Sequence, residues 1–124
     1  MTHRNNMILH NAKKSKNDEF YTQRCDIERE LQHYVPQFKN KRVYCNCDDW
    51  ETSNFIRYFR DNFKRFGIKK LIATGYSDTG HGKFFEYNGY NTKTRLLKGN
   101  GDFRSDECLD QLSQADIVVT NPPF

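Results

Sequence analysis

Apolar residues recur along this chain in two periods, and the switches between them predict alternating helices and strands. Ile27, Leu31 and Tyr34 stand at helical spacing, so a helix is expected from about Gln23 to His33, with Thr22 as its N-cap and Pro36 limiting its length. Lys41–Cys47 reads as the first strand of the sheet. Asp48 and Asp49 end it and can cap a helix from about Glu51 to Phe66. Within that helix Phe55, Ile56, Phe59, Phe63 and Phe66 recur on one side, and Gly67 takes the stop position. A one-sided aromatic stripe in a strand–helix unit is expected as a core face rather than a platform for stacked bases. Leu71–Thr74 is the second strand, and Ser77–Gly82 a glycine-rich loop. Lys83–Tyr87, Asn88-Gly89 and Tyr90–Leu97 predict a hairpin. Gly99–Phe103 forms a further turn. Ser105 is placed to cap a helix from about Asp106 to Ser113, with Leu109 and Leu112 inside it, and Asp116–Thr120 is the last strand.

Strand, helix, strand, hairpin, helix, strand describes the opening half of a doubly wound α/β sheet, in which ligands sit at the carboxyl ends of the strands near the reversal of strand order. Asp48-Asp49, the Asp102-Phe103 turn and Asn121–Phe124 all fall at or just beyond strand ends, or on loops leading to that edge.

Composition narrows the class. Hydrophobic residues make up 35% of the 124 residues and mean hydropathy is −0.98, yet 10 Phe, 7 Tyr and 1 Trp supply enough apolar bulk for one modest core. No apolar stretch approaches the roughly 20 residues that cross a bilayer, and the start carries no signal-peptide pattern, so no membrane contact and a cytoplasmic location are expected. The net charge of +4 resides entirely in residues 1–17, where Arg4, Lys13, Lys14 and Lys16 face no acid. These residues read as a basic flexible arm suited to a polyanion such as DNA, or as a solvated terminus. Cys25, Cys45, Cys47 and Cys108 lack zinc-ligand spacing and read as buried free thiols, and the four histidines read as surface residues, so no metal site is expected.

The chemistry is concentrated in Asn121-Pro122-Pro123-Phe124, directly after the short apolar run Asp116-Ile117-Val118-Val119-Thr120. Both prolines fix φ and lack an N–H, so the loop is stiff and its carbonyls point where the backbone sets them. An exocyclic amine such as adenine N6 is a poor nucleophile because its lone pair is delocalised into the ring. The Asn121 side-chain oxygen and the Pro122 carbonyl can draw its hydrogens out of plane, while Phe124 stacks on a flipped base. Asp102 and Phe103 can accept from, and pack on, an adenine ring of a methyl donor. Asp48 and Asp49 could meet donor hydroxyls or an ammonium, or merely cap the following helix, and Tyr21-Thr22 could touch the donor or only begin a helix.

Lys16–Gln23, Val43–Asp49, Gly101–Ser105 and Ala115–Phe124, in that order, resemble the EcoRI-type adenine-specific DNA modification methyltransferases, and the similarity runs from about Leu9 to Phe124. Cys45-Asn46-Cys47-Asp48-Asp49 is the segment most particular to that family. The resemblance implies the N-terminal half of a Rossmann-like S-adenosylmethionine-dependent methyltransferase sheet, with residues 18–124 a partial catalytic domain. It implies Tyr21, Thr22, Asn46, Cys47, Asp48, Asp102 and Phe103 as cofactor contacts and Asn121, Pro122, Pro123 and Phe124 as the catalytic loop. The implied reaction is methyl transfer from S-adenosylmethionine to N6 of a flipped adenine in double-stranded DNA, in a bacterial or phage-encoded restriction–modification pair with a cognate endonuclease. Cys-Asn-Cys-Asp-Asp-Trp replaces the glycine-rich loop usual in methyltransferases, and no acid ends the second strand at Thr74, where Asp78 is the nearest substitute. The chain stops at the catalytic loop, so a target-recognition region and the later strands are expected beyond it, and the 124 residues alone are expected to be weak or inactive. Other planar amines, RNA guanine N2 or a protein glutamine amide, and a non-catalytic nucleic-acid-binding fragment are the alternative readings.

Overall fold

Six strands form one sheet in the order β1-β6-β2-β3-β4-β5, in a computed structural model that describes residues 5–8, 24–46, 51 and 53–120. The strands are β1 (Asn5–Ile8), β2 (Arg42–Asn46), β3 (Lys70–Gly75), β4 (Lys83–Tyr87), β5 (Thr92–Leu96) and β6 (Ile117–Thr120). The helices are α1 (Arg24–Leu31), α2 (Asn54–Asp61), α3 (Phe63–Phe66) and α4 (Asp106–Gln114). β1, β6, β2 and β3 run parallel, and β4 and β5 extend the sheet as an antiparallel hairpin. The architecture is therefore α/β with a mixed sheet. Residues 5–8 correct the reading of 1–17 as an arm throughout, since they pair with Ile117–Thr120 as an edge strand. An Asn-rich tetrapeptide carries little strand signal, and only the partner strand reveals it.

Alternation along the strands separates two cores. Val43, Cys45, Leu71, Ala73, Phe85, Ile117 and Val119 face α1, α2 and α3, where Ile27, Leu31, Phe38, Phe55, Ile56, Phe59 and Phe66 complete the larger cluster. Tyr44, Ile72, Phe84 and Val118 face the other way, against Cys108 and Ala115 beside α4. In the larger core Phe38 meets Phe59 edge-on at 5.3 Å and stacks on Phe66 at 5.7 Å. Burying one such ring contributes about 1.5–3 kcal/mol.

The aromatic stripe is the core face expected of it, but its helix is divided. Asn62 takes φ −109°, and its side-chain amide donates to Tyr58 O at 2.9 Å, ending α2 one residue before α3 begins. A short amide side chain that bonds the preceding turn competes with the helix ladder, so the break follows from Asn62 itself. The cap of α2 is Ser53, whose Oγ accepts Ile56 N, rather than Asp48 or Asp49, which lie outside the described residues. Gly67 stops α3 at φ 70° as expected, with Ile68 N reaching back to Phe63 O at 3.1 Å.

After α1 the chain tightens into a 3-10 helix over Gln32–Phe38 that contains Pro36, and Tyr34 points out to solvent instead of completing the apolar stripe. Thr22, the expected cap of α1, lies outside the described residues. The hairpin joins Tyr87 to Thr92 through four residues, because Asn88 Oδ1 accepts both Tyr90 N and Asn91 N. Ser105 caps α4 as expected, yet the buried residue of that helix is Cys108, and Leu109 is 44% exposed. Of the thiols, Cys45 and Cys108 are buried, whereas Cys25 is exposed, a correction to the reading of all four as core residues.

Candidate active site

Three parallel strands end in one row. Asn46, the last residue of β2, is in register with Thr74 of β3 on one side and Thr120 of β6 on the other. The chain goes from β2 to one neighbour through α2, and from the hairpin back to the other neighbour through α4, so strand order reverses at β2. A crevice beyond the carboxyl ends at such a reversal is where open α/β sheets bind ligands. Asn46 shares the α4 side of β2 with Tyr44 by alternation. It is 7% exposed, and its Oδ1 has no hydrogen-bond partner among the described residues. A buried acceptor without a partner costs about 1–3 kcal/mol, a cost that a ligand donating to it would relieve.

The Asp102 turn lies over the same end of β3. Asn100 O accepts Ser77 N, and Gly99 O accepts Gly82 N, each at 2.8 Å. Gly101 has φ 84° and sits so close to β3 that a Cβ there would lie 2.3 Å from Gly75 O. A Cβ on Gly82 would in turn meet the Gly101 backbone at 2.6 Å. The glycines at 82 and 101 thus let the turn, the loop and the strand end touch through bare backbone. Asp102 N donates to Asn100 Oδ1, and the Asp102 carboxylate accepts Arg104 N at 2.9 Å, Nε at 3.2 Å and Nη2 at 3.1 Å. Hydrogen bonds from the Arg104 side chain and backbone hold the Asp102 carboxyl below its usual pKa, so it is an ionised acceptor at neutral pH. Phe103 is 49% exposed and carries the Arg104 guanidinium 5.4 Å from its ring centre.

The base of the turn rests on α4. Glu107 accepts Lys98 N and Gly99 N, each at 2.9 Å, and these backbone bonds are the main cause of its lowered pKa. Cys108 Sγ lies 3.6 Å from Gly101 O and 3.7 Å from Thr74 Oγ1, and Thr74 Oγ1 is 2.6 Å from Tyr44 OH. A shallow hollow of about 230 Å³ opens beside the end of β3, lined by Gly75, Tyr76, Ser77, Asp78, His81 and Lys83. Glu107 is absent from the reading of the sequence, in which Thr74, Gly82 and Gly101 stand only as a strand end, a loop residue and a turn residue. The only sequence mark of Glu107 was an acid in a first helical turn, which is common at any helix start.

Of the residues expected to form the site, Asn46, Asp102 and Phe103 are described, and all are at or over this edge of the sheet. Tyr21, Thr22, Cys47 and Asp48, the loop Asn121–Phe124, and the arm cations Arg4, Lys13, Lys14 and Lys16 lie outside the described residues. In the chain, Cys47 directly follows Asn46 and Asn121 directly follows Thr120. Among the described residues no group of His, Cys, Asp and Glu is arranged to hold a metal, and no helix is long and apolar enough to cross a membrane.

The family described as adenine-specific methyltransferase EcoRI matches residues 8–96 and 85–124. The Type II methyltransferase M.EcoRI of Escherichia coli is 50% identical, covering 96% of this chain and 42% of that protein. The Type II methyltransferase M.MpnI of Mycoplasma pneumoniae is 46% identical over 91% of this chain and 35% of its own length. A Type II methyltransferase of Mycoplasma genitalium is 47% identical over 91% of this chain and 36% of its own length. The chain thus spans about two fifths or less of these curated relatives. No solved structure matches it. With these matches over nearly the whole chain, the protein belongs to the EcoRI adenine-specific methyltransferase family.

Proposed function

We propose that this chain supplies the donor-binding part and the catalytic loop of an S-adenosylmethionine-dependent DNA adenine-N6 methyltransferase of the restriction–modification type, on a Rossmann-like sheet. The observation that carries this reading is the row Thr74, Asn46 and Thr120 at the reversal of strand order, with the Asp102 turn docked over it and Asn121-Pro122-Pro123-Phe124 next in the chain. The residues fit the cofactor. Its adenine amine, ribose hydroxyls and ammonium are all hydrogen-bond donors, and the edge offers the unpartnered Asn46 Oδ1, the ionised Asp102 carboxylate and Asp78 in the adjoining hollow. When bound, the cofactor supplies a methyl group activated by a sulfonium.

The chain's own residues then act on the substrate amine. Asn121 Oδ1 and Pro122 O accept its two hydrogens and bend them out of the ring plane, which localises the nitrogen lone pair. Phe124 stacks on the flipped base and keeps the amine facing the donor. Tyr21 and Thr22 serve the donor's methionine portion, and Cys47 and Asp48, in the loop after β2, its ammonium or ribose hydroxyls. Arg4, Lys13, Lys14 and Lys16 meet duplex phosphates, so DNA affinity falls steeply with salt. A bacterial or phage-infected cytoplasm that also holds a cognate endonuclease is the setting of this activity.

Calorimetric titration of S-adenosylmethionine into the purified chain tests this reading, with Asp102→Ala as control. Binding by the parent and a loss of at least about tenfold in the variant, the scale of one charge-assisted hydrogen bond, is the expected result. A folded chain that binds no donor, or a variant that binds as well as the parent, refutes it.

A further inference from the structure

We propose that Glu107 is a positioning residue for the donor site: its carboxylate, reaching from the first turn of α4 to the amides of Lys98 and Gly99, sets the turn that presents Asp102 and Phe103 at the end of β3. This inference rests on the reading of Asp102 as a donor contact.

An acid in a first helical turn ordinarily serves its own helix, either by capping or by meeting the macrodipole. Here that task is already filled, because Ser105 Oγ accepts Cys108 N. Both Glu107 oxygens go elsewhere, one to Lys98 N and one to Gly99 N. The carboxylate thus links a helix to a loop eight and nine residues earlier in the chain. The two amides stand at the entrance of the turn. Beyond them Gly99 O, Asn100 O and Gly101 are held against Gly82, Ser77 and Gly75. A shift at Lys98 or Gly99 is therefore passed to Asp102 within three or four residues, through backbone packed too closely to absorb it.

The charges around Glu107 favour its ionised form, with Arg95 and Lys98 both lowering its pKa. His81 also reaches the segment before the turn, its Nδ1 lying 2.9 Å from Leu97 O and 3.0 Å from Lys98 O. Beyond the turn, Arg104 engages Asp102 itself. Glu107 is thus the carboxylate on which the entrance of the turn depends, and it reaches the donor only through the turn.

The test is a double-mutant cycle read by titration of S-adenosylhomocysteine into the parent chain, Glu107→Gln, Asp102→Ala and the double variant. Glutamine keeps the length of the side chain but offers one carbonyl oxygen, so one amide loses its acceptor. Glu107→Gln is expected to weaken binding roughly tenfold, the effect of one hydrogen bond to a charged group. On the Asp102→Ala background the same change is expected to cost less than about twofold, since residues acting through one another are not additive. Amide hydrogen exchange without ligand supplies a second readout. Glu107→Gln is expected to accelerate exchange at Lys98 and Gly99 while leaving α2 unchanged. Additive losses in the cycle, or exchange at Lys98 and Gly99 equal to that of the parent, overturn the proposal. If the parent binds no S-adenosylhomocysteine, the donor-site reading itself fails and takes this inference with it, an outcome distinct from normal parent binding with additive losses.

Discussion

Replacing Gly101 by alanine tests whether the Asp102 turn is docked on the sheet. Two separate costs arise at this position. The residue has φ 84°, where a Cβ is disfavoured by about 1–2 kcal/mol. The added Cβ would also lie 2.3 Å from Gly75 O and 3.0 Å from Gly75 C. Those atoms belong to the backbone of β3, which is paired with β4 at Gly75 and cannot turn aside as a side-chain end can. Relieving the clash means lifting the turn or bending the strand, and forced overpacking of this kind costs about 1–3 kcal/mol. Together the loss is roughly 2–5 kcal/mol, a large share of the ~5–15 kcal/mol that holds an ordinary domain folded. With a urea slope of about 2 kcal/mol/M, the midpoint should fall by roughly 1–2.5 M. Gly80→Ala is the matched control, because a Cβ there meets nothing within 4 Å. Urea unfolding followed by far-ultraviolet circular dichroism reads both. If Gly101→Ala unfolds at the same midpoint as the parent and Gly80→Ala, the turn does not rest on β3, and the placement of Asp102 at the carboxyl edge falls with it.

Phe59 is fully buried and meets both Phe38 and Tyr58 edge-on, so Phe59→Ala should cost about 3–5 kcal/mol, and a loss under about 1 kcal/mol in the same urea assay would place it outside the core. Ser105→Ala removes the acceptor of Cys108 N, with an expected loss of about 1 kcal/mol and more frequent opening of the first turn of α4 by hydrogen exchange. The folded-state pKa of Glu107 lies below its unfolded value, so its stabilisation is full above the ordinary carboxylate range and disappears as pH falls through the folded value. The stability difference between the parent and Glu107→Gln should accordingly narrow in acid, and a difference that stays constant from neutral pH into strong acid argues that the charge plays no part. In a longer form that methylates DNA, Asn121→Ala should abolish formation of N6-methyladenine while donor affinity changes less than about twofold; near-normal turnover removes Asn121 from the mechanism.

What the sequence determined by itself is local. The aromatic stripe from Phe55 to Phe66, the stop at Gly67, the cap at Ser105 and the turn after Tyr87 each depend on residues a few positions apart, so their signals are complete within a short window. The family resemblance is of the same kind, carried by short motifs in order. Even some local elements misled where two short-range preferences competed: Asn62 divided a continuous stripe, and Ser53 capped a helix for which Asp48 and Asp49 stood nearer the strand. The tertiary structure alone decided which ends meet. The register that sets Asn46 between Thr74 and Thr120, the edge pairing of Asn5–Ile8 with β6, the contact of Gly75, Gly82 and Gly101, and the reach of Glu107 to Lys98 and Gly99 all join segments whose separation is not written in any period. Strand order follows from which faces can be buried together, and a bare-backbone contact leaves no trace in sequence beyond a glycine. The chain's order of elements therefore already pointed to the carboxyl edge, while the register of Asn46 and the backbone contacts that seat the Asp102 turn over β3 came from folding, because they join segments far apart in the chain.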